Sequence, residues 1–291
     1  LTGIRPTKLV SKYLEKYQQK KVVKILREKY CVTLRKAKLL TEIVLRQKKI
    51  YPLIPPDTVC VYINIPYCLS RCKYCTFTSY PLDYKKVSRK EYLGALFTEI
   101  EEIGNVIKNN DITVTALYVG GGTPSCLTTA ELKRLLEKID DFLINNTKEF
   151  TIECGRADSL DKEKLLVIKQ SKVTRICLNP QTFNDDTLAE MNRNHSVKDF
   201  YDSYRLSRKL DFDNINMDLI IGLVGENFED YKNNIKKAVK LKAEALTVHF
   251  LAFKKGSELT QNIKNDRNKK YLRIDRYIFR KLKKAGYYPY Y

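Results

Sequence analysis

The chain has 291 residues, 43% of them hydrophobic and 30% charged, a balance that excludes a disordered segment and is long enough for one large α/β domain with an accessory piece. No run approaches about 18 consecutive apolar residues, so a membrane-spanning helix is excluded and a cytoplasmic location is expected; the most apolar runs, Val59–Ile65 and Asp218–Val224, are strand-length. The net charge of +20 is uneven, with 15 Lys/Arg against 3 Asp/Glu in residues 1–50 and 10 against 2 in residues 261–291, which leaves 29 of each sign between them. Such basic ends suit an anionic partner, yet the lysines fall on all faces without Arg/aromatic interleaving, so solvated helices are the favoured reading and nucleic acid is not the expected partner.

Residues 7–49 read as helical, with Leu9, Val10, Tyr13, Leu14 and Tyr17 sharing a face, then Val22, Val23, Ile25 and Leu26, then Leu39, Leu40, Ile43 and Val44. Tyr51-Pro52-Leu53-Ile54-Pro55-Pro56 cannot continue a helix, which sets residues 1–57 apart as a basic helical extension with a Pro-rich linker. The pattern then alternates. Strand-like runs at 58–65, 114–119, 150–154, 173–178, 214–221 and 245–251 are separated by helical patterns near 88–108, 128–143, 161–170, 184–192 with 197–210, and 227–241. This predicts an α/β domain over 58–260, built on a parallel sheet with right-handed crossovers. Residues 261–291 read as the start of a truncated carboxyl-terminal helical region. The chain opens with Leu1 and runs out in Tyr287-Tyr288-Pro289-Tyr290-Tyr291 without a helix stop, as a fragment would.

The unusual residues fall at the carboxyl ends of the strands, where parallel α/β architectures bind ligands. Cys68–Cys75 follow the first strand, Gly120-Gly121-Gly122-Thr123-Pro124 the second, Glu153 ends the third, Asn179 and Gln181 follow the fourth, Asp218 lies in the fifth and His249 near the end of the sixth. Of eight cysteines, Cys31, Cys60, Cys126, Cys154 and Cys177 are isolated; Cys60, Cys154 and Cys177 lie in apolar runs where a thiol behaves as a small buried hydrophobe. Cys68, Cys72 and Cys75 crowd together with no fourth partner nearby. A structural zinc site is normally closed by four ligands, whereas an iron–sulfur cluster held by three thiolates keeps one iron open to an outside ligand. The cluster is therefore favoured over zinc or thiol redox chemistry.

Cys-x3-Cys-x2-Cys after a strand, with Tyr74 before the last cysteine, is similar to the radical S-adenosylmethionine superfamily. Within it, Tyr62-Ile-Asn-Ile-Pro-Tyr-Cys68, Tyr118-Val-Gly-Gly-Gly-Thr-Pro-Ser125, Asn179-Pro-Gln-Thr-Phe183 and Asn216-Met-Asp-Leu-Ile-Ile-Gly-Leu223 resemble the oxygen-independent coproporphyrinogen III oxidase (dehydrogenase) family. Leu1-Thr-Gly-Ile-Arg-Pro-Thr-Lys8 resembles the lead-in of its clostridial and bacillar branch.

The resemblance implies a partial (β/α)6 barrel with a [4Fe-4S] cluster at its mouth on Cys68, Cys72 and Cys75. It also implies S-adenosylmethionine contacts from Tyr62, Tyr74, Gly121, Gly122, Thr123, Glu153, Gln181, Arg193, Asp218 and Ala252. The implied reaction is oxidative decarboxylation of coproporphyrinogen III to protoporphyrinogen IX in anaerobic haem biosynthesis, with a reductant protein such as a flavodoxin or ferredoxin. Arg71, Lys73 and Arg156 would then have a tetracarboxylate to bind, or else simply be solvated. Phe77 stands where another cysteine is frequent, Asn64 where a histidine is common and Val224 where proline is usual. A branch of the same family comprises haem chaperones, for which His195 or His249 could serve; a radical enzyme acting on RNA is the remaining alternative.

Overall fold

The computed structural model describes residues 6–50, 55–84, 88–252, 256–259 and 267–290, the last group without side chains before Arg273. Leu1–Arg5 of the lead-in, residues 51–54 of the Pro-rich linker and the expected boundary at 260/261 lie outside the described residues. By its contacts the chain separates into two compact units, Leu1–Pro56 with Gly286–Tyr291, and Asp57–Ala285.

The first unit contains α1 (Pro6–Leu14), α2 (Gln19–Glu28) and α3 (Leu34–Ile50). Its apolar stripes meet in a core of Val10, Val22, Leu26, Ala37, Leu40 and Val44, which leaves the lysines outside. Cys31 adopts a left-handed backbone (φ 53°), and the turn it makes separates α2 from α3. The Arg46 guanidinium lies 4.5 Å from the Tyr288 ring centroid, and Gln47 Nε2 donates to the Tyr290 carbonyl at 2.8 Å.

The second unit carries a six-stranded, wholly parallel sheet. Its strands are β1 (Thr58–Ile65), β4 (Thr113–Gly121), β5 (Glu149–Glu153), β6 (Arg175–Cys177), β7 (Ile215–Ile221) and β8 (Ala245–Phe250), in that spatial order. A separate two-stranded sheet pairs β2 (Tyr67–Cys68) with β3 (Tyr80–Pro81) and closes the cysteine loop at its base. The crossovers are α4 (Arg89–Asn109), α5 (Thr129–Phe142), α6 (Lys162–Gln170), α7 (Asp185–Glu190) with α8 (Val197–Lys209), and α9 (Phe228–Leu241); α10 (Arg267–Lys284) follows. Each strand lies beside its predecessor in the six-stranded sheet, the arrangement expected of a partial barrel; among the described residues β1 and β8 are its two open edges. Gly286, with φ 88°, stands two residues past α10, so a helix stop is present where the sequence reading saw none.

Reciprocal caps start four of the crossover helices: Ser88 with Glu91, Thr128 with Glu131, Ser196 with Asp199 and Asn227 with Asp230. Alternate strand residues face the helices and form the core, among them Ile65, Leu117, Phe150, Ile152, Ile176 and Met217. Their sequence neighbours face the other way and, apart from the buried Cys177, carry polar groups: Tyr62, Tyr118, Glu153, Asn216 and Asp218. Cys154 and Cys177 are buried as expected, but Cys60 is exposed. It shares its face of the edge strand β1 with Tyr62, which is 60% exposed, so an apolar sequence run did not bring burial.

Candidate functional site

The cysteine loop between β2 and β3 is fastened from three directions. Ser70 Oγ donates to the Asn192 carbonyl at 2.9 Å, Asn192 Nδ2 to the Arg71 carbonyl at 2.7 Å, and Lys73 N to the Met191 carbonyl at 3.2 Å. These tie the loop to the segment after α7. From the far side, Arg71 Nη2 donates to the Gly256 carbonyl at 2.8 Å, while Ser257 Oγ and Glu258 N both donate to the Lys73 carbonyl at 3.0 Å. Beneath it, Arg156 Nη1 donates to the Ser70 carbonyl at 3.1 Å. Loops left to themselves are mobile; this one is held by its backbone groups.

Gly121 ends β4 and Gly122 follows it, directly against this loop. A Cβ on Gly122 would lie 2.4 Å from the Tyr67 carbonyl oxygen and 3.0 Å from Cys68 Sγ, and one on Gly121, where φ is +108°, would meet Asn64 Oδ1 at 2.0 Å. Only glycine permits this approach of backbone to ligand thiol. Thr123 follows, its hydroxyl 3.3 Å from Cys68 Sγ. Burial pushes the Cys68 and Cys75 thiols up, opposed at Cys68 by the Thr123 hydroxyl and at Cys75 by the Phe77 backbone.

Two buried guanidinium groups face Cys72. Arg156 Nη1 is 3.7 Å from its sulfur and Arg193 Nη1 is 4.0 Å from it. Arg193 also donates to the Tyr74 hydroxyl at 3.0 Å and to the carbonyls of Gly155 and Asn179 at 2.6 and 2.9 Å, while its Nε is buried with no partner among the described residues. Arg156 grips Asp158 with two bonds, of 3.0 and 2.6 Å, and Asp158 in turn lies 3.6 Å from His195 Nδ1. Burial opposes ionisation of Asp158, but His195 and Arg156 together hold its carboxyl well below the usual carboxylate range. Burial holds His195 below its ordinary value. Arg156 is therefore neither a solvated side chain nor open to a substrate carboxylate, being only 3% exposed. Lys73 is likewise paired, with Glu190 at 2.8 Å.

Across the polar face of the sheet, Tyr118 donates to Glu153 Oε1 at 2.6 Å and stacks on Tyr62 with centroids 5.9 Å apart. Burial pushes the Glu153 carboxyl up to about 7, with the nearby Asp218 charge adding to the effect and the Tyr118 bond opposing it. Asn216 Nδ2 donates to Asp218 Oδ1 at 2.8 Å, and His249 Nε2 stands 3.7 Å from Asp218 Oδ2, which raises the histidine. Gln181 has a left-handed backbone (φ 62°) and a buried side-chain oxygen without a partner among the described residues. Tyr74 packs with Met191, Ile220 and Leu223. Ala252 is exposed beyond the end of β8.

Thus Cys68 meets Gly122 and Thr123, Cys72 and Tyr74 both meet Arg193, Glu153 and Asp218 lie on the same sheet face, and among the described residues no hydrogen bond or ion pair joins Ala252 to them. Sequence reading missed Tyr118, Asn192, Asp158 and the true setting of Arg156; the period-2 alternation that puts Tyr118 beside Tyr62 and Glu153 was the one usable signal.

The residues fit a thiolate-held cluster with an added ligand. Cys68, Cys72 and Cys75 are three free, partly buried thiols on one fastened loop, the donor set of a cluster that seats each thiolate on its own iron. Arg193 Nε and Gln181 Oε1, both buried and without a partner among the described residues, suit a ligand bearing a carboxylate and polar groups.

Comparison with known proteins agrees. Residues 62–238 match the model of the radical SAM superfamily. The chain is 39% identical over 267 residues to the oxygen-independent coproporphyrinogen-III oxidase-like protein HemZ of Bacillus subtilis, covering 90% of this chain and 53% of that protein. It is 36% identical over 192 residues to the heme chaperone HemW of the same organism, covering 65% of this chain and 49% of that one. The chain thus spans about half the length of these relatives. The solved coproporphyrinogen III oxidase HemN of Escherichia coli shares the fold, with a TM-score of 0.67 over 85% of this chain and 56% of that one at 21% identity. The superfamily works with a [4Fe-4S] cluster and S-adenosylmethionine, and these are the cofactors for which this site is built. The chain belongs to the radical SAM superfamily.

Proposed function

We propose that this chain is the cofactor-bearing part of an oxidative decarboxylase that converts coproporphyrinogen III to protoporphyrinogen IX. The observation that carries the reading is that one cysteine loop at the carboxyl edge of the sheet meets two sets of partners, Cys68 against Gly122 and Thr123, and Cys72 against Arg193. The similarity to a coproporphyrinogen-III oxidase-like protein over 90% of this chain supports the choice of substrate.

Cys68, Cys72 and Cys75 would hold the cluster, with the glycine cradle and Arg193 receiving the amino-acid end of S-adenosylmethionine, and Glu153 and Asp218 its sugar hydroxyls. Held by these residues, the cluster and S-adenosylmethionine would supply radical chemistry for hydrogen-atom abstraction from a substrate propionate. This chain's residues do the positioning. The glycines let backbone amides approach, the Asp218 and Glu153 side-chain oxygens accept hydroxyl hydrogens, and the Tyr62–Tyr118 stack offers a flat apolar wall. Arg71, Lys73 and Arg156 are all committed to protein partners. His249, its side chain 55% exposed and biased toward its charged form by Asp218, is the cation on this face best placed for a substrate carboxylate.

A second reading is a haem carrier, favoured by the 36% identity to a heme chaperone. Of the two histidines, His195 is 6% exposed and engaged with Asp158, so His249 would be the iron ligand. Anaerobic reconstitution followed by assay for 5′-deoxyadenosine, with and without coproporphyrinogen III, separates the two. Substrate-dependent 5′-deoxyadenosine with vinyl product supports the decarboxylase. Stoichiometric haem binding that His249→Ala abolishes, without turnover, supports the carrier.

A further inference from the structure

Most of the contacts around the cysteine loop end on a backbone carbonyl, a partner any loop can offer. The approach of Arg156 to Cys72 is different, because an arginine buried to 3% exposure is expensive to desolvate. Its donors are divided by direction. Nε and Nη2 turn to Asp158, at 3.0 and 2.6 Å, while Nη1 turns the other way, to the Ser70 carbonyl at 3.1 Å and the Cys72 sulfur at 3.7 Å. Asp158 is itself backed by His195, and its side chain is only 16% exposed. The result is an oriented dipole in a dry setting, with its positive end on a cluster ligand.

Among the described residues neither Cys68 nor Cys75 accepts a hydrogen bond from a guanidinium, although Arg156 and Arg71 act on them as more distant charges: Cys68 Sγ meets the Thr123 hydroxyl, and Cys75 is in the loop's own turn, its amide bonded to the Cys72 carbonyl at 2.9 Å. Arg193 also lies near Cys72, but its other donors are used on Tyr74, Gly155 and Asn179, and its remaining Nε is open to a ligand. Arg156 has no such opening. Its Nε, Nη1 and Nη2 are all engaged, and those bonds end on Cys72, the Ser70 carbonyl and Asp158.

We propose that Arg156 is a positioning residue for the cluster, which fixes the Cys72 side chain and, with Asp158 as its anchor, raises the reduction potential of the bound iron–sulfur group. The physical reason is that reduction adds an electron to an already anionic assembly. A guanidinium donating to a ligating sulfur stabilises the reduced state more than the oxidised one, and hydrogen bonds to sulfur and local charge are established controls of cluster potential. The proposal rests on the three cysteines holding the cluster.

Potentiometric titration of the anaerobically reconstituted chain, read by the visible absorbance of the cluster, tests it in four proteins: wild type, Arg156→Gln, Asp158→Asn, and Arg205→Gln as an exposed control on α8. Arg156→Gln is expected to lower the potential at least tenfold in the oxidised-to-reduced ratio, or 59 mV for one electron. Asp158→Asn keeps one acceptor oxygen to hold Arg156 but removes the counter-charge, leaving the guanidinium less neutralised, and is expected to shift it the opposite way. Arg205→Gln should match wild type. A merely structural role would move Arg156→Gln and Asp158→Asn in the same direction or not at all, and either result overturns the proposal. Should Arg156→Gln fail to retain iron, the sign of the Asp158→Asn shift decides alone: upward supports, unchanged or downward overturns. Failure of wild type to take up a cluster would instead overturn the assignment of the three cysteines, and this proposal with it.

Discussion

Tyr118 donates its phenolic hydrogen to Glu153 at 2.6 Å from the adjacent strand, in a setting that keeps the Glu153 carboxyl protonated up to about pH 7. A carboxyl whose pKa rises on folding, here from 4.5, binds its proton more tightly in the native state. Its contribution is therefore most favourable below about 4.5 and is lost as pH climbs through about 7. Between about pH 5 and 8 the apo-protein should lose stability relative to Glu153→Gln by up to about 3 kcal/mol. Denaturant midpoints measured across that range check this; parallel curves for the two proteins would contradict it.

Two glycines should respond to alanine in opposite senses. Gly122→Ala drives a methyl group to 2.4 Å from the Tyr67 carbonyl and 3.0 Å from Cys68 Sγ, so it should cost about 1–3 kcal/mol and impair iron uptake. Gly94, exposed within α4, has nothing within 4 Å of its would-be Cβ, and Gly94→Ala should stabilise by roughly 0.4–1 kcal/mol with normal iron content. Thermal melts with iron assays on both variants provide the comparison.

Replacing Cys68, Cys72 or Cys75 by alanine should abolish the visible absorbance of the reconstituted cluster. Cys154→Ala and Cys177→Ala should keep it and lose roughly 1–2 kcal/mol from packing, since both thiols are buried in the sheet. Full iron occupancy in Cys72→Ala would refute the three-thiolate assignment.

The chain has two histidines with opposite shifts, which makes proton NMR decisive. Burial lowers His195, while the Asp218 carboxylate raises His249. The two imidazole signals should titrate on either side of the ordinary value of about 6.5. Asp218→Asn should move only the upper one down. The same variant should weaken S-adenosylmethionine binding by about 1.5–3 kcal/mol, roughly 10- to 100-fold, while retaining the cluster. Calorimetric titration showing unchanged affinity would reduce Asp218 to a structural residue.

The order of strands and helices was legible because period-2 and period-3.6 patterns alternate cleanly after Pro56, and the thiol motif because its spacing is specific. Cys60 shows where this fails: an apolar run marks a strand but does not say whether a helix covers a given face, and on β1 only Ile63 and Ile65 are buried among the core residues. The short pairing of Tyr67–Cys68 with Tyr80–Pro81 was invisible because two-residue strands carry no periodicity. Arg156 was misread for a related reason. Charge and loop position suggest solvent, and only the third dimension brings Asp158, His195 and Cys72 around it.

The bonds that fasten the cysteine loop to Met191, Asn192, Gly256 and Glu258 all come from the polypeptide itself. The entropy of ordering this loop is thus spent when the chain folds, not when iron arrives. Metallation becomes docking onto a finished surface, and iron loss leaves a template instead of a tangle. Chelated protein should accordingly regain its cluster at a rate limited by the supply of iron and sulfide, with backbone amide exchange in residues 70–75 nearly the same before and after.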